Sequence, residues 1–225
     1  MNFIKTYVKR GEKMKFLIAV PCMDTLPVAF VESLMSMDKP KDTHVRFLPG
    51  SLVYDARNLL CVEAFKDNYD YIMWIDSDMV VPKDALANLL VDTIDKNAQI
   101  FTGLYVKRTY PTVPVLYDKI EPPALDDNNQ LVKQIHEYTD YPLNDTFKVA
   151  GCGFGCVLTS VKLLKRVWDT FGPAFNPLPW ASEDIAFCYR VGQLHEPIWC
   201  DSNISCGHIG TLLYTDKMLK RGDTH

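Results

Sequence analysis

With 225 residues, 48% of them hydrophobic and 23% charged, the chain has the composition of a soluble globular protein able to bury one large core. A formal charge of −4 excludes a broad attraction to nucleic acid or anionic lipid. No stretch approaches the about 18 apolar residues of a membrane span, and "MKFLIAVPCMD" is too short and meets Asp24 too soon for a secretory signal.

In chain order, "MNFIKTYVKRGEK" (1–13) reads as a polar lead, and Met14 offers a second start. "KFLIAV" (15–20) is a continuous apolar run stopped by Pro21, which predicts a strand buried on both faces. Apolar residues at helical spacing follow over 26–37, then a second strand over 43–49 and a helix over 55–67. "YDYIMWID" is the third strand, and "PKDALANLLVDTID" (82–95) is a helix opened by Pro82. "AQIFTGLYV" (98–106) is the fourth strand. Strand and helix thus alternate through residue 106, which predicts an α/β fold with a mostly parallel central sheet flanked by helices.

From 109 to 148 the pattern loosens into Pro-, Asp- and Asn-rich sequence, read as loops and hairpin-like excursions. "FKVAGCGFGCVLTS" (147–160) regains strand character, "VKLLKRVWDTF" (161–171) and "SEDIAFCYRVGQL" (182–194) are helical, and "PIWCD" is a short strand. Seven scattered cysteines without a compact framework point to reduced thiols and a cytoplasmic setting. Cys200, Cys206 and His208, with Cys152 and Cys156, offer a zinc set, although their spacing is not that of a CxxC knuckle.

The third strand ends on Asp76-Ser77-Asp78. If the strand continues, Asp76 and Asp78 point to one face at the C-terminal edge of the sheet, where open α/β sheets bind ligands. Paired carboxylates repel unless a cation compensates, and hard oxygen ligands suit Mg2+ or Mn2+, which in turn hold a diphosphate. A polar strand-to-loop turn explains the same three residues without a ligand. Glu183 and Asp184 follow Ser182 in the first turn of their helix, where the helix dipole alone favours acids.

Taken in order, "DARNLLCVEAFKDNYDYIMWIDSDM", "PWASEDIAFCYRVGQL" and "CGHIGT" resemble the DxD, ED and GH segments of glycosyltransferases with the GT-A fold. The likeness is to family-2-like enzymes, the β1,4-galactosyltransferases and the polypeptide N-acetylgalactosaminyltransferases, over roughly residues 15–211. It implies one GT-A domain over 14–215, with a nucleotide-binding half (14–108), an acceptor and catalytic half (109–215) and a tail (216–225). It also implies a nucleotide-sugar donor, with UDP as nucleotide, and an Mn2+ or Mg2+ ion held by Asp76, Asp78 and His208. Pro21, Asp24, Thr25, Arg57 and Ser77 would meet the donor nucleotide, and Lys107 and Arg108 its phosphates. Trp180, Gly151 and Gly153 would lie beside donor sugar and acceptor. Asp184 would be the general base, with Glu183 binding acceptor, and an acid at that position resembles the inverting enzymes. The donor sugar and the acceptor are not legible. Two rival readings stand beside this one: a nucleotidyltransferase on the same sheet, and a non-catalytic sugar- or nucleotide-binding module with structural zinc. The first lacks a Gly-rich loop after the first strand, where the chain reads "PCMDTLP".

Overall fold

Alternating side chains of the first and third strands divide the interior into two layers. The computed structural model describes residues 14–50, 52–210 and 213–218. The polar lead, Thr211 of the Gly-His stretch and residues 219–225 of the tail lie outside the described residues. The elements are β1 (Phe16–Cys22), α1 (Val28–Ser36), β2 (Thr43–Pro49), α2 (Val53–Lys66), β3 (Tyr71–Ile75), β4 (Met79–Val80), α3 (Ala85–Asp95) and β5 (Ile100–Leu104). They continue with β6 (Leu116–Leu125), β7 (Leu131–Glu137), β8 (Thr146–Val149), β9 (Gly151–Cys152), β10 (Cys156–Ser160), α4 (Val161–Phe171) and α5 (Glu183–Gln193). β11 (Ile198–Ser205), β12 (Gly207–Ile209) and β13 (Leu213–Tyr214) close the described chain, with a 3-10 turn at Asp216–Met218.

Leu17, Ala19, Ile72 and Trp74 face one side, where they pack with Leu60 and Ala64 of α2, Leu163 and Val167 of α4 and Phe187 of α5. Phe16, Ile18, Val20, Met73 and Ile75 face the other, against Phe30 and Leu34 of α1 and Leu86, Leu89 and Leu90 of α3. Each large apolar side chain so buried contributes about 1.5–3 kcal/mol. The fold is therefore the expected α/β sandwich of helices on a central sheet.

Seven strands form that sheet in the order β2-β1-β3-β10-β5-β11-β8. β1, β2, β3, β5 and β11 run one way, while β10 and β8 run against them, so the sheet is mostly parallel. Two small sheets attach to it, β13-β12-β4 and β7-β6-β9. The loosely patterned 109–148 region holds the long β6–β7 hairpin.

Local boundaries differ from the expectation in instructive ways. β1 continues through Pro21 because β3 pairs with it only as far as Ala19↔Trp74, so the missing N–H falls where that neighbour has ended. β2 keeps its expected span and lies, largely exposed, at the sheet edge. The short strand expected at "PIWCD" runs on to Ser205 through an irregularity between Asp201 and Ser205, where Ile204 packs over Gly103. α4 matches its expected span because both ends are chemically marked. Ser160 Oγ accepts from the Leu163 N–H at 3.0 Å, and Gly172 stops the helix at φ 82°. Among the described residues no helix is long and apolar enough to cross a membrane.

Candidate active site

β3 ends at Ile75, and Asp76-Ser77-Asp78 forms a tight turn closed by Met79 N–H donating to Asp76 O at 3.1 Å. The same-face argument for the two acids therefore fails: the chain has left the strand, and its two-residue period, before either acid. Asp76 and Asp78 still line one cavity of about 200 Å3, but each takes its own partners.

Asp76 Oδ1 accepts from Arg57 Nη2 at 2.7 Å. Arg57, expected on the donor nucleotide, is 1% exposed, and its Nε also lies 3.7 Å from Glu183 Oε1. The rings of Trp74, Phe154 and Phe175 surround its guanidinium at 5.4–5.8 Å. This arginine is an internal counter-charge that ties the end of β3 to the first residue of α5. Burial pushes the Asp76 carboxyl up, and Asp78 and Asp184 add to that while Arg57 opposes it. Burial likewise raises Glu183, with Asp184 next and Arg57 pulling the other way.

Asp78 takes a different set of partners. Its Oδ2 lies 3.3 Å from His208 Nε2 and 3.0 Å from Arg108 Nη1. His208 reaches it because β12 pairs antiparallel with β4, placing His208 opposite Met79, while Ile209 N–H donates to Asp78 O at 2.7 Å. Burial raises the Asp78 carboxyl, but the His208 hydrogen bond, the His208 charge and Arg108 outweigh it and leave it below the usual range.

The residues fit a divalent cation in two respects. His208 Nδ1 is 2.8 Å from Val106 O and donates there, which leaves Nε2, 3.3 Å from Asp78 Oδ2, as the ring nitrogen placed to share a cation with that carboxylate. In addition, among the described residues the four acids Asp76, Asp78, Glu183 and Asp184 outnumber the two guanidiniums beside them, Arg57 and Arg108. Among the described residues no three His, Cys, Asp or Glu side chains are grouped to hold a metal ion, so the expected set of Asp76, Asp78 and His208 does not form, Asp76 being turned onto Arg57. The candidate is thus an open pair, Asp78 with His208, of the kind Mg2+ or Mn2+ completes with water and phosphate oxygens. The zinc set does not form: Cys200 and Cys206 are buried, and His208 faces Asp78 instead.

Asp184 Oδ1 accepts from Ser182 Oγ and, at 2.8 Å, from the Ile185 N–H. Its other oxygen has no hydrogen bond among the described residues. Pro21 and Ser77 line the cavity beside the acids, whereas Asp24 and Thr25 stand exposed on the loop after β1. Lys107 forms an ion pair with Glu137 of β7 and lies over the Tyr117 ring. Gly151 and Gly153 make room for protein rather than ligand. A Cβ at Gly151 would meet Ile120 Cδ1 at 2.3 Å, and one at Gly153 would meet Tyr105 Oη at 2.0 Å. Trp180 stays half-buried, edge-on to Tyr189 at 5.1 Å.

Sequence reasoning missed Gly50, Val53 and Ala56, which form the far wall of the cavity. It also missed Tyr105, whose Oη accepts from Gly155 N–H at 3.2 Å while its ring packs edge-on to His208 at 5.5 Å. Burial, then Asp76 and Asp184, push the Tyr105 phenol up, so it stays protonated. Its place at the end of the fourth strand, on the same sheet edge as the acids, was the available signal.

Neither a protein-family model nor any curated protein matches this sequence. Among solved structures, A197 from STIV is similar over 94% of this chain and 100% of its own, with a TM-score of 0.65 and 16% identity. GalNAc-T7, solved with UDP, GalNAc and Mn2+, is similar over 88% of this chain, with a TM-score of 0.59 and 11% identity. The match spans 44% of the GalNAc-T7 chain. At these identities the likeness establishes a GT-A-like fold.

Proposed function

We propose that this chain is a metal-dependent glycosyltransferase that moves a sugar from a nucleotide-sugar donor to an acceptor hydroxyl with inversion. The observation that carries the reading is the Asp78–His208 pair, 3.3 Å apart where Asp78 lines the cavity beside β3, with His208 Nδ1 donating to Val106 O. UDP is the nucleotide we favour, from the ligand of GalNAc-T7. When bound, Mn2+ or Mg2+ supplies charge neutralisation for a departing diphosphate, and Asp78 and His208 are the residues to hold it.

The chain's own residues account for the rest. The cavity walls at Pro21, Cys22, Gly50, Val53, Ala56 and Ser77 accept the nucleoside, and Asp24 and Thr25, exposed on the loop after β1, are free to meet it. Arg57 keeps Asp76 and Glu183 in place beneath the donor, a rigid floor that fixes approach distance and angle. Asp184, with one oxygen tied to its own helix start, offers the other to the acceptor hydroxyl proton. Glu183 orients that hydroxyl, and the half-buried Trp180 gives the sugar an apolar ring face.

A panel of UDP-sugars and other nucleotide sugars with Mn2+ tests the reading through nucleotide release. Release from at least one donor is expected, with a loss of 100-fold or more in Asp78→Ala. Equal rates in the two proteins would overturn it.

A further inference from the structure

Two arginines serve the four acids, and they differ in kind. Arg57 is buried and caged by three aromatic rings. Arg108 has a side chain 49% exposed, and its contacts are Asp78 Oδ2 at 3.0 Å and Ile209 O at 3.2 Å. Its backbone is fixed nonetheless. Lys107 N–H donates to Val113 O at 2.8 Å, Val106 bridges to Pro114, and the Lys107 side chain is held by Glu137. A long side chain on a fixed base, open to solvent and bound to one carboxylate, can leave that carboxylate without disturbing the fold.

The carboxylate oxygen that Arg108 touches is the one facing His208 Nε2. A guanidinium and a divalent cation seeking one oxygen repel each other, so the two compete.

We infer that Arg108 is an exchangeable counter-cation: it neutralises Asp78, yields Asp78 to the divalent cation, and then pairs with the donor diphosphate. This rests on the metal-dependent reading above and adds a specific order to it. A guanidinium matches phosphate oxygens in a two-pronged geometry that a lysine does not. The residue thereby couples cation loading to donor loading. Without a donor, Arg108 stays on Asp78 and weakens cation binding; with one, it has a second anion to occupy.

The test measures two affinities by calorimetry on wild-type protein, Arg108→Ala, Arg108→Lys and Asp78→Ala. The first is for Mn2+ alone, and the second is for UDP at saturating Mn2+. Arg108→Ala is expected to bind Mn2+ alone about tenfold more tightly and UDP about tenfold more weakly, with Arg108→Lys between it and wild type in both. These shifts run in opposite directions, which a merely structural role would not produce, since local damage weakens both. Mn2+ binding unchanged or weakened in Arg108→Ala, while Asp78→Ala loses it, would overturn the exchange and leave the metal site standing. Mn2+ binding that is absent from wild type, or survives Asp78→Ala, would overturn the metal site itself and this inference with it.

Discussion

Replacing Arg57 by Met separates an internal counter-charge from a donor-binding arginine. The substitution keeps an unbranched stem against Trp74, Phe154 and Phe175, so little packing is lost. What disappears is the guanidinium 2.7 Å from Asp76 and 3.7 Å from Glu183. Removing one member of a buried ion pair costs about 3–5 kcal/mol, because the remaining charge is stranded. The Asp76 and Glu183 side chains are 30% and 16% exposed, so water relieves part of that cost and the lower end, about 3 kcal/mol, is expected. Loss of the ring contacts adds about 1 kcal/mol. Against a total stability of about 5–15 kcal/mol, the effect is large. Urea unfolding at neutral pH measures it, and Arg57→Met/Asp76→Asn, which removes one stranded charge, should recover about half. Arg57→Met within 1 kcal/mol or so of wild type, combined with lost UDP binding, would show that the arginine faces the donor and that the reasoning is wrong.

Asp184→Asn keeps an oxygen to accept from the Ile185 N–H, so UDP affinity measured by calorimetry should stay within about threefold while transfer falls about 100- to 10,000-fold. Equal loss of both would instead mark Asp184 as a helix cap. Gly153→Ala drives a methyl to within 2.0 Å of Tyr105 Oη and should cost about 1–3 kcal/mol in thermal unfolding. Gly192→Ala, in α5 with open space around it, should gain about 0.5–1 kcal/mol in the same measurement. Asp92 on α3 is pushed up to about 7 by burial and by Asp201, with Asp95 adding to the shift and Lys96 opposing it; its buried Oδ2 has no hydrogen-bond donor. The folded chain keeps this proton while the unfolded chain releases it near pH 4, so stability falls from about pH 4 to pH 7 and stays lower above. Full burial would make that loss about 4 kcal/mol, and the half-exposed setting reduces it to about 1–2 kcal/mol. Asp92→Asn should therefore match wild type near pH 4 and exceed it by that amount at pH 8 in urea unfolding.

The alternation of apolar runs and helical spacing through residue 106 was enough to place β1, β2, β3 and β5 and their helices, because burial periodicity is a local property. β2 and α4 matched their expected spans, the latter through Ser160 and Gly172 at its ends. The acids, the late histidine and the sheet edge they share were legible as residue types in order. Their pairing was not. Arg57 reads the same in sequence whether it points into the core or into a cleft, and only the convergence of α2, β3 and α5 turns it onto Asp76 and Glu183. The glycines of 150–156 likewise suggested room for a ligand until Tyr105 and Ile120 were seen to fill it. Asp78 and His208 lie 130 positions apart, and their meeting depends on β4 finding β12 across the chain. Sequence specifies what each residue can bind; which partner it receives is a long-range packing outcome, decided where the core closes around the charges it must neutralise.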